Sequence, residues 1–152
     1  MKLAEALSRR AQLIEKVSQL KVRLKDCIKI QEGDDPAELP GDVIAELDRT
    51  LAELQALIYR INITNTLTQT DGRTLTDLLA ERDTLSLRVK ILGEAMAHLT
   101  EREDRYNRNE IKYVRVVDVK EFRRVYDRSA AMLRELDLKI QAAGWVTELI
   151  EK

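Results

Sequence analysis

The sequence predicts an all-α protein of long antiparallel helices, arranged as a four-helix bundle or as coiled-coil-like hairpins, with a minor β-strand element near residues 111–117. Three observations carry this expectation. Apolar residues recur at steps of three and four along four separate stretches, and helix-start signals stand before two of them. The composition is 35% charged and only 4% aromatic, which suits long solvated helices better than an enzyme core.

The first helix is expected over about residues 2–30, with Leu3, Leu7, Ile14, Val17, Leu24 and Ile28 on one stripe and Arg10 and Lys21 filling its gaps. It should stop in "QEGDDPAELPG", where Gly33, Pro36, Pro40 and Gly41 favour a turn. A second helix, about 42–65, carries Ile44, Leu47, Leu51, Leu54, Ile58 and Ile61 in an unbroken three-four series. The β-branched, polar stretch after it leads to a turn at Asp71 and Gly72.

Thr74 with Asp77 three residues on opens the third helix, about 75–100. Its stripe runs Leu75, Leu78, Arg82, Leu85, Val89, Leu92, Met96 and Leu99. Asp118 with Glu121 opens the fourth, about 119–143, with Val119, Phe122, Tyr126, Leu133, Leu136 and Ile140 inward and Gly144 placed to end it. Together these make one helical domain over 1–152. Leu13, Leu20, Leu57, Leu79 and Leu87 fall off the stripes and are left for a larger assembly to cover.

The exception to helical spacing is "EIKYVRVVDV", residues 110–119, which crowds β-branched residues and a tyrosine together. A lone strand exposes unpaired backbone groups on both edges, so it needs a mate. A second copy of the chain supplies one about a two-fold axis, with Ile111, Tyr113, Val114, Val116 and Val117 at the contact. The internal alternative is "NITNTLTQT" at 62–70, and helical continuation is a third.

Functional chemistry is sparse. The net charge is −1, from 26 basic and 27 acidic residues, so no global field favours nucleic acid or an anionic membrane. One cysteine precludes an internal disulfide, and "MKLAEALSRRAQ" reads as no secretory signal, so a cytoplasmic protein is expected. No window is apolar enough to span a bilayer.

Five dispersed glycines form no phosphate loop, and no serine or cysteine has a recognisable base, so no catalytic residues and no cofactor are expected. Cys27, His98 and the acids Asp34, Asp35 and Glu38 are metal-ligand types without paired-ligand spacing, and no metal is expected. Arg10, Asn62 and Arg82 fall at a similar height if the first three helices run antiparallel, which suggests a polar layer fixing register or, less simply, an anion site. The segment from Arg102 to Arg115 interleaves arginines with Tyr106 and Tyr113, but Glu103, Asp104 and Glu110 lie among them; it reads as a solvated connector before a nucleic-acid surface.

The blocks "IQEGDDPAEL", "LIYRINITNT", "DGRTLTDLLAERD", "DRYNRNEIKYVRVVDV" and "GWVTELIE" give the chain a resemblance to small bacterial proteins of unknown function labelled septicolysin-like. The resemblance implies a bacterial, helical, oligomer-forming protein and supplies no catalytic residues to transfer. Its label implies a haemolysin-like, membrane-active role, which stands as the alternative to the reading from the residues: a non-catalytic homo-oligomer that acts by binding and assembly.

Overall fold

A computed structural model describes residues 1–102 and 111–152. Within them the order is α1 (Leu3–Ile28), α2 (Pro40–Leu67), β1 (Gln69–Thr70), β2 (Arg73–Thr74), α3 (Leu75–Leu99) and α4 (Val119–Val146). The fold is all-α with a minor strand element, as the periodicities predict. That element, however, lies elsewhere than expected.

β1 and β2 pair antiparallel with each other, Gln69 opposite Thr74 and Thr70 opposite Arg73. Asp71 and Gly72 both take positive φ, 51° and 79°, the pattern of a type I′ turn, whose twist suits the two strands it joins. Most of "NITNTLTQT" is helical, since α2 runs to Leu67. The Thr64 and Thr66 hydroxyls donate to the carbonyls of Arg60 and Asn62 one turn back. Residues 111–117 form no strand within the chain and are exposed throughout. Their backbone groups face water, which removes the penalty that would have forced a ladder.

The chain divides into two compact units, Met1–Thr76 with Gln141–Lys152, and Asp77–Ile140. In the first, α1 and α2 run antiparallel: Arg9 pairs with Glu53 and Lys16 with Glu46, one number rising by seven as the other falls by seven. The Glu5 carboxylate accepts the Lys2 N–H at 2.7 Å and closes the first turn of α1. Pro40 sits in the first turn of α2, where its missing donor costs nothing.

The buried residues recur every seventh position, Ala6, Leu13, Leu20 and Cys27 on α1 against Val43, Thr50, Leu57 and Thr64 on α2. Leu3 and Ile61 are buried and Val17, Leu24, Leu47 and Leu54 half-buried, as expected, but the other half of each expected stripe is displaced by one residue. Ile14, Ile28, Ile44, Leu51 and Ile58 are exposed, while Leu13, Leu20 and Leu57, expected to lie off the seam, are its core. Two neighbouring lines compete on each helix, and charge decides between them. A seam through 13, 20 and 43, 50 places Lys16, Arg23, Glu46 and Glu53 three residues on, along one shared flank where they pair. Thr50 tolerates burial because its hydroxyl donates to the Glu46 carbonyl at 2.9 Å.

The C-terminal tail completes this unit. Leu3 N–H donates to the Thr147 carbonyl and Leu149 N–H to the Met1 carbonyl, at 2.9 and 2.8 Å. Ile150 N–H donates to the Thr64 hydroxyl at 2.9 Å, and Leu149 is buried. Gly144 does not end α4, which continues to Val146. Instead it lies buried beside Ala4, where an added Cβ would sit 3.8 Å from the Ala4 Cβ.

In the second unit α3 and α4 run antiparallel. Arg88 Nε donates to Ser129 Oγ at 3.2 Å, and a Cβ on Gly93 would lie 3.3 Å from the Tyr126 ring. Asp118 caps α4 as expected, its carboxylate accepting the Lys120 N–H at 2.8 Å. Leu85, Val89, Leu92 and Met96 on α3, with Phe122, Tyr126, Leu133 and Leu136 on α4, follow the expected stripes but are only half-buried.

Candidate assembly surfaces

The two edges of the α1–α2 hairpin differ in kind. One carries the ion pairs Arg9–Glu53 and Lys16–Glu46, and Arg23, whose guanidinium bridges Glu38 and Glu46. Glu38 comes from the loop before α2, so this bridge ties the loop to both helices. Hydrogen bonding from Arg23 holds both carboxyls below the usual carboxylate range, and the same bonds, to Glu38 first and then Glu46, raise the Arg23 pKa. Beside this edge Ser8, Gln12, Glu15 and Gln19 line an open trough of about 600 Å³ with Lys16 and Arg23.

The opposite edge is apolar. Ile14 and Ile28 of α1 and Ile44, Leu51 and Ile58 of α2 expose 51, 62, 44, 42 and 38% of their surface. They sit one residue after the buried seam on both helices, so the antiparallel register lays the two lines side by side. Lys21 is the charge within the α1 line, and Asp48 flanks the α2 line one helical turn from Ile44 and Leu51. Among the described residues neither makes an ion pair with the other or with a third group.

In the second unit the five residues expected at an oligomer contact lie on the irregular stretch before α4, which bends at Val116 and Val117. Ile111, Tyr113, Val114, Val116 and Val117 expose 93, 83, 79, 95 and 48%. With His98, Leu99 and Phe122 several of them border a cleft of about 590 Å³. Arg115 Nε anchors the stretch by donating to the Leu99 carbonyl at 3.0 Å.

The three residues of the expected polar layer have separate surroundings. Arg10 is half-buried on the α1 seam, between Leu3 and Val17. Asn62 is exposed and accepts the Thr66 hydroxyl at its backbone carbonyl. Arg82 belongs to the second unit, where it pairs with Asp83 at 3.2 Å. Cys27 is buried, its thiol directed at the Leu24 carbonyl, and His98 lies beside Glu101. Among the described residues no group of three His, Cys, Asp or Glu side chains is placed to hold a metal, and no helix is long and apolar enough to cross a membrane. Tyr106, Arg105 and Arg108, central to the connector reading, lie outside the described residues.

The apolar edge was within reach of the sequence. Both lines were read there as apolar, and the pairing of Arg9, Lys16 and Arg23 with Glu46 and Glu53 was the signal for which one faces inward.

What fold and surfaces define is a protein of two helical hairpins with exposed aliphatic rows. The chain belongs to a family described as "Family of unknown function (DUF6847)", whose model matches residues 10–149. A solved structure titled "Crystal structure of a functionally unknown conserved protein from Corynebacterium diphtheriae" is similar to it, with 42% identity, 99% of each chain covered and a TM-score of 0.90. No curated protein matches the chain.

Proposed function

We propose that this protein acts by binding and assembly, as a homo-oligomer, and not by catalysis. The observation that carries the reading is the row Ile111, Tyr113, Val114 and Val116, four large apolar side chains each at least 79% exposed on a segment outside any helix or strand of the chain. A soluble chain gains by covering such a row, and such a segment offers a partner both side chains and free backbone groups. Pairing of this stretch with its own copy about a two-fold axis satisfies both.

The test is the mass in solution of the parent and of Val114→Pro/Val116→Pro, by light scattering, with circular dichroism as the check on helices. Proline removes ladder donors without touching the helical seams. A fall in mass with unchanged helicity supports the contact; equal masses remove it. A parent that is monomeric at high concentration removes the assembly reading as a whole.

The second reading is the membrane-active one implied by the likeness to septicolysin-like proteins. The exposed aliphatic edge of α1–α2 favours it, since a helical surface of that kind can lie on a bilayer interface. Dye release from liposomes decides it: leakage at low protein concentration supports the role, and intact vesicles exclude it.

A further inference from the structure

We infer that the apolar edge of the α1–α2 hairpin is a self-association surface, docking a second copy of this chain to make a four-helix contact separate from residues 111–117. This rests on the assembly reading and adds the site. Three features of the edge select a copy of itself.

The first is its spacing. Ile14 and Ile28 on α1, with Leu7 half-buried on the same line, and Ile44, Leu51 and Ile58 on α2 repeat every seventh residue. A row of that period stays in register only with helices of the same period, and a second hairpin presents two of them. Unlike a groove for a single helix, the edge is a pair of parallel ridges, and its natural complement is another such pair.

The second is area. Five aliphatic side chains between 38 and 62% exposed present roughly 400 Å² on one copy, and with flanking stems a pair of copies covers on the order of 1,000 Å², where specific interfaces begin. Covering the same edge with a short peptide would remove less surface and leave one ridge wet.

The third is charge. Lys21 on the α1 side and Asp48 on the α2 side are of opposite sign and make no ion pair with each other or elsewhere among the described residues. A two-fold axis running along the hairpin lays α1 of each copy antiparallel against α2 of the other. The ion pairs Arg9–Glu53, Lys16–Glu46 and Arg23–Glu46 set Lys21 opposite the stretch 41–48 of α2, so that axis makes Lys21 of one copy face the segment of the next that carries Asp48. Two such pairs flank the aliphatic rows, and the ion-paired edge with Arg9, Lys16 and Arg23 stays outside.

The experiment compares the parent with Ile14→Glu/Leu51→Glu by sedimentation velocity across a concentration series, helicity being followed in parallel. The expected result is that the parent sediments at twice 17.5 kDa or a higher multiple and that the variant loses this contact with its helices intact. A parent of one-chain mass overturns both this inference and the assembly reading. An oligomeric parent with an unchanged variant overturns this inference alone. Should the double variant lose helicity, the charge pair decides: Lys21→Glu should weaken association about fivefold, and Lys21→Glu/Asp48→Lys should restore it. Lys21→Glu that associates like the parent, or a double swap that stays as weak as Lys21→Glu, overturns the inference.

Discussion

The two hairpins follow the same three-four rule in sequence yet bury it to different depths. In α1–α2, Leu13, Leu20, Val43 and Leu57 are buried to 6% exposure or less. In the second unit the α3–α4 seam stays half-buried from Leu85 onward, and among its described residues the buried ones are Leu78, at the start of α3, and Ser129. A periodic stripe therefore says which residues turn toward a neighbour and does not say how completely the neighbour covers them. The first hairpin adds ion pairs that cross from α1 to α2, a clasped tail and backbone hydrogen bonds to that tail; in the second, Arg82–Asp83, His98–Glu101 and Arg124–Glu121 join near neighbours in sequence.

The sharpest way to break this comparison is to truncate equivalent leucines. Leu20→Ala in the first hairpin should cost about 2–5 kcal/mol in urea unfolding, whereas Leu92→Ala on the half-buried seam should cost about 1 kcal/mol. Equal losses would mean that the second seam is covered in solution by something beyond its own hairpin. That outcome would also move the search for a contact surface to α3–α4.

A smaller effect tests the clasp. Thr64→Val keeps the shape of a side chain with 0% exposure but deprives Ile150 N–H of its acceptor, and should cost about 1–2 kcal/mol. Hydrogen exchange should show faster exchange at Leu3 and Leu149, with the α3–α4 amides unchanged.

The smallest effect is electrostatic and confined to the first hairpin. Glu38 and Glu46 have folded-state pKa values below the ordinary 4.5. Their contribution is present above the unfolded value and is lost as pH falls through the lowered ones. Thermal melts of the parent should therefore weaken below about pH 4.5 more than those of Arg23→Met, which has no cation to hold the two carboxylates down. Added salt should narrow the same difference.

On α3 and α4 the expected stripes are the half-buried lines although Leu87, Ile91, Val125 and Met132 lie beside them exposed, and the cap at Asp118 and the Asp71–Gly72 turn were legible because their chemistry is local. Half of each of the α1 and α2 seams was misread by one position because Leu13 and Ile14, or Leu57 and Ile58, are equally apolar, and because Thr50 looks polar until its hydroxyl is satisfied within its own helix. Hydropathy cannot separate such lines; the flanking charges can. The strand pair within one chain lies elsewhere for a different reason: β-branched residues at 111–117 state a preference for extended backbone, but inside a single chain a short ladder forms where a tight turn supplies the partner, as Asp71–Gly72 does for β1 and β2. Gly144 was read as a stop from composition, while its place is set by Ala4 across the packing.

The tail clasp has a consequence for how the protein is made. Its hydrogen bonds join residues near the start of the chain to Thr147, Leu149 and Ile150, with the whole second unit intervening in the sequence. During synthesis α1 and α2 leave the ribosome before the second unit and can pair at once, but the residues that close their unit emerge after it. At translation speeds on the order of 5–20 residues per second, the hairpin waits several seconds with Leu3 and Thr64 open to solvent. Of the two units, the one that begins folding before the other thus finishes after it, and a nascent chain arrested before Thr147 holds it in that unfinished state.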